Sequence, residues 1–298
     1  MSEGGSDRPA RRRSLRFILW LILAGIAFLF LVNLFVPDFD LSGEDRIALV
    51  RVEGVILDAQ QTVTELKKYG ENPLVKGVVL RIDSPGGGVV PSQEIHDAVL
   101  RVRNKNSKTV IASMGTVAAS GGYYIAAAAD RIVANPGTLT GSIGVIMELA
   151  NVEGLLKKVG VENIIIKSGR HKDIGSPFRA MSPEDRRILQ SVMDDVHKQF
   201  IEAVADGRSL EVSEVVPLAD GRIFTGRQAK DAKLVDELGD LNDAIKLAAE
   251  LTGIEGEPRV VEPRKRFSIR DLIEGRLLGV LPRLTFEAGV SLKYLMAF

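Results

Sequence analysis

Apolar positions along the chain fall into three patterns, each predicting a different kind of element. The first is a near-continuous run from Phe17 to Val36, FILWLILAGIAFLFLVNLFV, interrupted by Gly25 and Asn33. Its twenty residues, at about 1.5 Å of helical rise each, cover the roughly 30 Å hydrocarbon core of a bilayer. The run exceeds the ~7–15-residue apolar region of a cleavable signal peptide, and no small-x-small cleavage site follows it in VPDFDLSGED. Arg11, Arg12, Arg13 and Arg16 precede it, and Asp38, Asp40, Glu44 and Asp45 follow. Positive charge stays on the cytoplasmic side. The pattern predicts a cytoplasmic basic segment over residues 1–16, a transmembrane signal anchor over 17–36, a linker over 37–46 and everything beyond it outside the cytoplasm.

The second pattern is short β-rich runs: Ile47 to Ile56, Val75 to Ile82, Thr109 to Met114, Arg131 to Asn135, Ser142 to Met147 and Glu162 to Lys167. Helical patterns separate them, at Gln60 to Tyr69, Pro91 to Arg103, Gly121 to Ala129 and Val152 to Val159. Strand and helix in alternation predict βαβ units and a largely parallel sheet. Beyond Lys172 the third pattern is helix alone. Ser182-Pro183-Glu184-Asp185 combines an N-cap, a proline at the first helical position and first-turn acids, starting a helix that runs to about Ala205. Thr225-x-x-Gln228 reads as a capping box, and Leu241 to Leu251 as a further helix. An extracytoplasmic domain over 47–255 and a C-terminal tail over 256–298, mixing basic and apolar residues, complete the division.

Composition narrows the chemistry. Lys+Arg and Asp+Glu balance at 39 each, which argues against a nucleic-acid partner. The chain has no cysteine, so disulfides, thiolate zinc sites and a cysteine nucleophile are excluded together. Only His96, His171 and His197 remain as imidazoles, and they form no metal-binding spacing. No metal is expected.

Two glycine segments carry the candidate chemistry. Asp83-Ser84-Pro85-Gly86-Gly87-Gly88 follows an apolar strand and precedes a helix. Bare backbone N–H groups there suit an oxyanion hole or a phosphate cradle, and equally suit a plain turn. In Gly115 to Tyr124, Ser120 lies between Ala118-Ala119 and Gly121-Gly122 at the start of an apolar helix. That placing suits a nucleophile, and it also suits an ordinary N-cap. Ala118 stands where G-x-S-x-G needs its first glycine, and no serine has lysine three positions later. With no histidine between Ser120 and His171, the candidate base is Lys172, in the loop Lys167-Ser-Gly-Arg-His-Lys172-Asp-Ile-Gly-Ser-Pro177. A lysine serves as base only where its amine is neutral; a solvated lysine is the alternative.

At these residues the sequence resembles the signal peptide peptidase A family, membrane-anchored Ser-Lys peptidases related to the Clp protease and crotonase folds. The resemblance runs through DSPGGG, MGTVAASGGYYIA, TGSIGV (Thr140 to Val145), SGRHKDIGSP and DGRIFTGRQAKDAKLVDELG (Asp220 to Gly239). It implies an α/β fold of repeated β-β-α units with a helical C-terminal part. It further implies Ser120 as nucleophile, Lys172 as general base, Gly87 and Gly121 as oxyanion-hole N–H donors, and Ser168 as a support for the lysine amine. Substrates would be cleaved signal peptides, and no cofactor is implied. The family also implies a homo-oligomeric ring on the bacterial cytoplasmic membrane, in which Lys172 acts within its own chain or on a neighbour's Ser120. Two rivals share the fold: a crotonase-like acyl-CoA enzyme, and a non-catalytic membrane scaffold.

Overall fold

The computed structural model describes residues 19–25, 44–263 and 293–295. The basic N-terminus, the linker and all of the predicted anchor except 19–25 lie outside the described residues, as does most of the tail. Residues 19–25 are helical and expose Leu19, Trp20, Leu21, Ile22 and Leu23. Among the described residues no helix is long and apolar enough to cross a membrane.

From residue 45 onward the chain builds a mixed α/β fold around a largely parallel sheet. Strands β1 (Arg46–Glu53), β2 (Val75–Ser84) and β4 (Thr109–Ala119) lie side by side in parallel. The first half of β4 continues into β5 (Arg131–Ala134), its last residues into β6 (Leu139–Gly141), both in parallel. β7 (Ile223–Thr225) closes one edge antiparallel to β6. β8 (Glu237–Leu238) pairs with β5, and β9 (Arg259–Val261) with β1. The sheet thus reaches residues 259–261, within the segment assigned to the tail.

The central strands are buried on both faces, which is why they read as continuous apolar runs rather than alternating ones. One face, with Ala48, Val50, Val78, Leu80, Val110 and Met114, is covered by α1 (Gln60–Glu71), α2 (Val89–Leu100), α3 (Gly121–Ala127) and α5 (Pro183–Arg208). The other, with Ile47, Leu49, Val79, Ile111 and Val133, is covered by Ala244 and Ala248 of α8 (Leu241–Thr252). Each such aliphatic side chain contributes about 1.5–3 kcal/mol on burial. The remaining helices, α4 (Glu153–Lys158), α6 (Val212–Val215) and α7 (Gly226–Asp231), are short.

Both predicted caps are present. The Ser182 hydroxyl accepts from the Asp185 N–H at 3.0 Å while the Asp185 carboxylate accepts from the Ser182 N–H. Thr225 and Gln228 exchange the same pair of bonds. Boundaries shift elsewhere. The Ser182 helix continues to Arg208, and the predicted helix Pro91 to Arg103 is α2 followed by a π turn over Arg101–Lys105.

Two predicted strands are corrected. Ser142 to Met147 is not a strand, because β6 ends at Gly141, whose φ of +75° turns the chain out of extended conformation. Glu162 to Lys167 pairs with nothing among the described residues and stays exposed, with Ile164 at 78% and Ile166 at 96% accessibility. A β-rich apolar run needs a neighbouring strand to complete its hydrogen bonds, and none lies within reach there.

Packing of α5 on α3 gives a stability prediction. A Cβ on Gly207 would run into the Ala127 carbonyl. Overpacking of this kind costs about 1–3 kcal/mol, against a helix-propensity gain of about 1 kcal/mol for replacing glycine. Gly207→Ala is therefore expected to lower the urea midpoint at unchanged denaturant slope; a raised midpoint would contradict this contact.

Candidate active site

Strands β2 and β4 are parallel neighbours, so the glycine segments that follow their carboxyl ends meet. Such crevices at strand carboxyl ends are where open parallel sheets place ligands. Gly86–Gly88 forms a short strand, β3, rather than a loop. The Ile56 N–H donates to the Gly86 carbonyl at 2.9 Å, and the Gly88 N–H to the Ile56 carbonyl at 2.8 Å. By strand alternation, the N–H and C=O of Gly87 face the opposite side. The Gly121 nitrogen lies there too: a Cβ built on Gly86 would sit 2.8 Å from it, and one built on Gly121 would sit 3.3 Å from the Gly87 nitrogen. Gly121 opens α3, so its N–H is among those a helix leaves without an internal acceptor. The structure thus brings the predicted donors Gly87 and Gly121 side by side.

Ser120 is next to this pair and is held in an unusual backbone conformation, φ 53° and ψ −116°. Positive φ at a non-glycine residue costs of order 1–3 kcal/mol and needs a surrounding that fixes it. Here the Ser120 N–H donates to the Gly141 carbonyl at 2.8 Å, and the Ser120 carbonyl accepts from Tyr124 N–H at 2.8 Å. The N-cap alternative does not hold. An N-cap serine has extended φ/ψ and accepts from the first turn, as Ser182 does; the Ser120 hydroxyl caps nothing. It is 1% exposed, and its Oγ is buried without a hydrogen-bond partner among the described residues. A buried unpaired hydroxyl costs about 1–3 kcal/mol. Backbone strain and an unmade bond of this kind cluster at functional sites.

Neighbouring residues that sequence reasoning did not single out hold this arrangement. The Ser92 hydroxyl donates to the Gly88 carbonyl at 2.8 Å and fills the space a Gly121 Cβ would need. The Asp83 carboxylate accepts from Val117 N–H at 3.0 Å, and the Thr140 hydroxyl donates to the Ala118 carbonyl at 2.6 Å, keeping β4 extended up to the serine. Asp83 and Thr140 stand inside quoted motifs, which was their only signal. One residue from Gly141, a cavity of about 650 Å³ opens at Ser142, lined by Met147, Met181, Met193, Leu189 and Ile223.

The structure does not join Lys172 to this arrangement by any bond among the described residues. The lysine is exposed. Its loop is braced by the other cations. Arg179 bonds Asp173 through Nε at 2.8 Å and Asp185 through Nη1 at 2.6 Å, Lys167 bonds Asp173 at 2.6 Å, Arg170 pairs with Glu184, and His171 lies 3.5 Å from Asp185. Among the described residues the Lys172 side chain alone in this set has no partner. Ser168 is exposed as well, and its hydroxyl makes no bond to Lys172.

Arg179 holds the Asp173 and Asp185 carboxyls far below the usual carboxylate range, with Lys167 adding to the effect on Asp173. Because both values are depressed on folding, the brace contributes fully above the ordinary pKa of about 4 and is lost as pH falls below it. Amide exchange across residues 167–185, corrected for intrinsic rates, is expected to quicken between pH 5 and about pH 2.5 while the β2 and β4 amides stay protected. Equal protection at both ends would contradict the brace.

The profile of a known family matches this region: peptidase family S49, over residues 102–255. A Synechocystis protein carried under a provisional protease name is 46% identical over 218 residues, covering 73% of this chain and 78% of that protein. The chain belongs to peptidase family S49. The S49 match contains Ser120, Gly121, Ser168 and Lys172, while Gly87 precedes it. Among other relatives, an Enterococcus faecium protein provisionally named signal peptide peptidase SppA is 40% identical over 223 residues, 70% of this chain and 64% of that protein. Protease 4 of Salmonella typhi is 36% identical over 253 residues, 79% of this chain but 40% of Protease 4.

Proposed function

We propose that this S49 peptidase is a membrane-anchored serine endopeptidase acting through a Ser120 nucleophile and a Lys172 general base. The observation that carries the reading is the strained, buried Ser120, whose Oγ has no partner, beside the paired Gly87 and Gly121 N–H groups. Ser120 Oγ attacks a peptide carbonyl and its proton passes to the Lys172 amine. Gly87 and Gly121 N–H groups hold the oxyanion. Lys172 returns the proton to the leaving amine, and water then hydrolyses the acyl-enzyme. Ser168 positions the amine. No metal or organic cofactor enters these steps.

The base comes from a neighbouring copy. Among the described residues of its own chain, Ser120 has no basic partner and Lys172 no acidic one. The segment leading to the Lys172 loop exposes Val159, Val161, Ile164 and Ile166, an apolar surface suited to burial against another subunit. This fits a homo-oligomeric ring of the Clp protease and crotonase fold type, completed only on assembly. Residues 17–36 anchor the ring, residues 1–16 stay cytoplasmic, and the peptidase domain over 47–255 lies outside; the consecutive exposed apolar residues of 19–25 support this placing. The Met-lined cavity near Ser142 and the name of the Enterococcus relative support cleaved signal peptides as substrates.

The full chain in detergent micelles, with oligomer size recorded, is expected to cleave a fluorogenic apolar peptide and to take a fluorophosphonate label on Ser120. An assembled chain that does neither would leave the non-catalytic scaffold as the reading.

A further inference from the structure

The loop that carries Lys172 holds a closed set of ion pairs. Three acids face it: Asp173 from the loop itself, and Glu184 and Asp185 from the first turn of α5. Each is taken up by a cation other than Lys172. Arg179 forks onto Asp173 through Nε at 2.8 Å and Nη2 at 3.1 Å, and reaches Asp185 through Nη1 at 2.6 Å. Lys167 adds a bond to Asp173 at 2.6 Å. Arg170 pairs with Glu184, and His171 lies 3.6 Å from Glu184 and 3.5 Å from Asp185. On the α4 side, Glu153 is engaged by Lys157 at 2.6 Å and by the Ala180 N–H at 2.9 Å, and Glu162 shares the groove at Phe178 with them. Arg186, also on α5, lines the cavity near Ser142.

Lys167, Arg170 and Arg179 balance Asp173, Glu184 and Asp185 charge for charge, so Lys172 is the cation left over. Arg179 is the member that engages two of the acids, through a planar fork that a lysine ammonium cannot reproduce. Asp173 is the next residue in the chain after Lys172. Successive turns keep the two together, with the Lys172 N–H donating to the Gly169 carbonyl and the Ser176 N–H to the Asp173 carbonyl, both at 3.1 Å. Because Arg179 holds the Asp173 and Asp185 carboxyls far below their usual range, both are charged at any pH suited to hydrolysis. A charged carboxylate beside an amine favours the ammonium form unless another cation occupies it.

We infer that Arg179 is a positioning residue for the base: by occupying Asp173 and Asp185 it denies Lys172 an ion pair within its own loop and leaves the amine free to accept a proton. The inference rests on the serine peptidase reading for its catalytic meaning; the electrostatic effect on the Lys172 amine stands apart from it. Removing the guanidinium acts twice with one sign, since it releases two carboxylates and takes away a positive charge that repels the ammonium. Removing the Asp173 carboxylate acts with the opposite sign. A mere loosening of the loop would be common to both changes.

Two measurements on the full chain test this, with Arg179→Gln and Asp173→Asn beside the wild type. In the first, trace acetylation of Lys172 by acetic anhydride is followed across pH by mass spectrometry, since only the neutral amine reacts. The pH at which the amine becomes reactive is expected to rise by about half a unit or more in Arg179→Gln and to fall in Asp173→Asn. No rise in Arg179→Gln, or a shift of the same sign in both, would overturn the inference, whatever the activity of the chain. Should Arg179→Gln not fold, Asp173→Asn alone suffices, because a rise or no change there overturns it too. The second measurement is the pH profile of kcat/KM on a quenched apolar peptide. Its acid limb is expected to move in the same two directions, so that at a pH on that limb Arg179→Gln is at least about 3-fold slower than wild type, the gap closing at alkaline pH. A loss of equal factor at every pH refutes the inference and leaves the peptidase reading standing. Opposed acetylation shifts with no hydrolysis and no label on Ser120 refute the peptidase reading and leave the electrostatic role of Arg179.

Discussion

Replacing Ser120 with alanine will lower kcat/KM for peptide hydrolysis by at least about 10⁴-fold, leaving only the contribution of binding and the oxyanion donors. It will do so without unfolding the chain. Oγ makes no hydrogen bond, so its removal breaks none. The bonds that fix the strained backbone, from Ser120 N–H to Gly141 and from Tyr124 N–H to Ser120, are main-chain and survive. Removing a buried unsatisfied hydroxyl recovers part of its cost of about 1–3 kcal/mol, so thermal unfolding will occur at the wild-type temperature or a few degrees above it. Peptidase kinetics and calorimetry on the same preparation check both halves. Undiminished hydrolysis would eliminate Ser120 as nucleophile, and a collapse of stability would mean that Oγ has a structural partner.

Lys172→Ala will cost hydrolysis a comparable factor, for a different reason. The side chain is exposed and has no partner among the described residues, so stability will not change measurably. What is lost is the acceptor for the Ser120 proton. If the base comes from a neighbouring copy, as proposed above, two inactive variants can complement each other. In rings assembled from equal amounts of Ser120→Ala and Lys172→Ala chains, about one interface in four joins an intact serine to a neighbour's intact lysine. Activity recovering to about a quarter of wild type is expected after co-assembly and not after simple mixing of preformed rings. No recovery on co-assembly would place the lysine within its own chain.

Much of the fold was legible because its central strands are buried on both faces and the helices at Ser182, Thr225 and Asp240 carry side-chain caps. Val75 to Ile82 and Thr109 to Met114 announce themselves as apolar runs, and Ser182 and Thr225 mark helix starts by side-chain bonds that involve only local residues. Glu162 to Lys167 was misread because an apolar β-rich run has the same sequence signature whether a strand pairs with it or not. At Ser142 the error was one of geometry, since the positive φ of Gly141 is not written in composition. For the site, glycines at the ends of adjacent strands could be foreseen to meet once the sheet was parallel. Two things could not be foreseen: the backbone angle of Ser120, and the strand character of Gly86–Gly88. The latter depends on Ile56 on one side and on Tyr294, more than 200 residues later, on the other.

On the peptidase reading proposed above, that three-glycine strand reads its substrate through the main chain, and this sets a conformational entry requirement. A peptide lying across a bilayer as a helix has every amide N–H and C=O committed to its own turns. To pair with Gly86–Gly88 it must give up several of those bonds and straighten. Unwinding, rather than apolar character alone, then separates substrates from the equally apolar anchors of intact membrane proteins. Segments loosened by proline or glycine, or released at one end by an earlier cut, reach the serine first. A stable helix is spared by its internal hydrogen bonds.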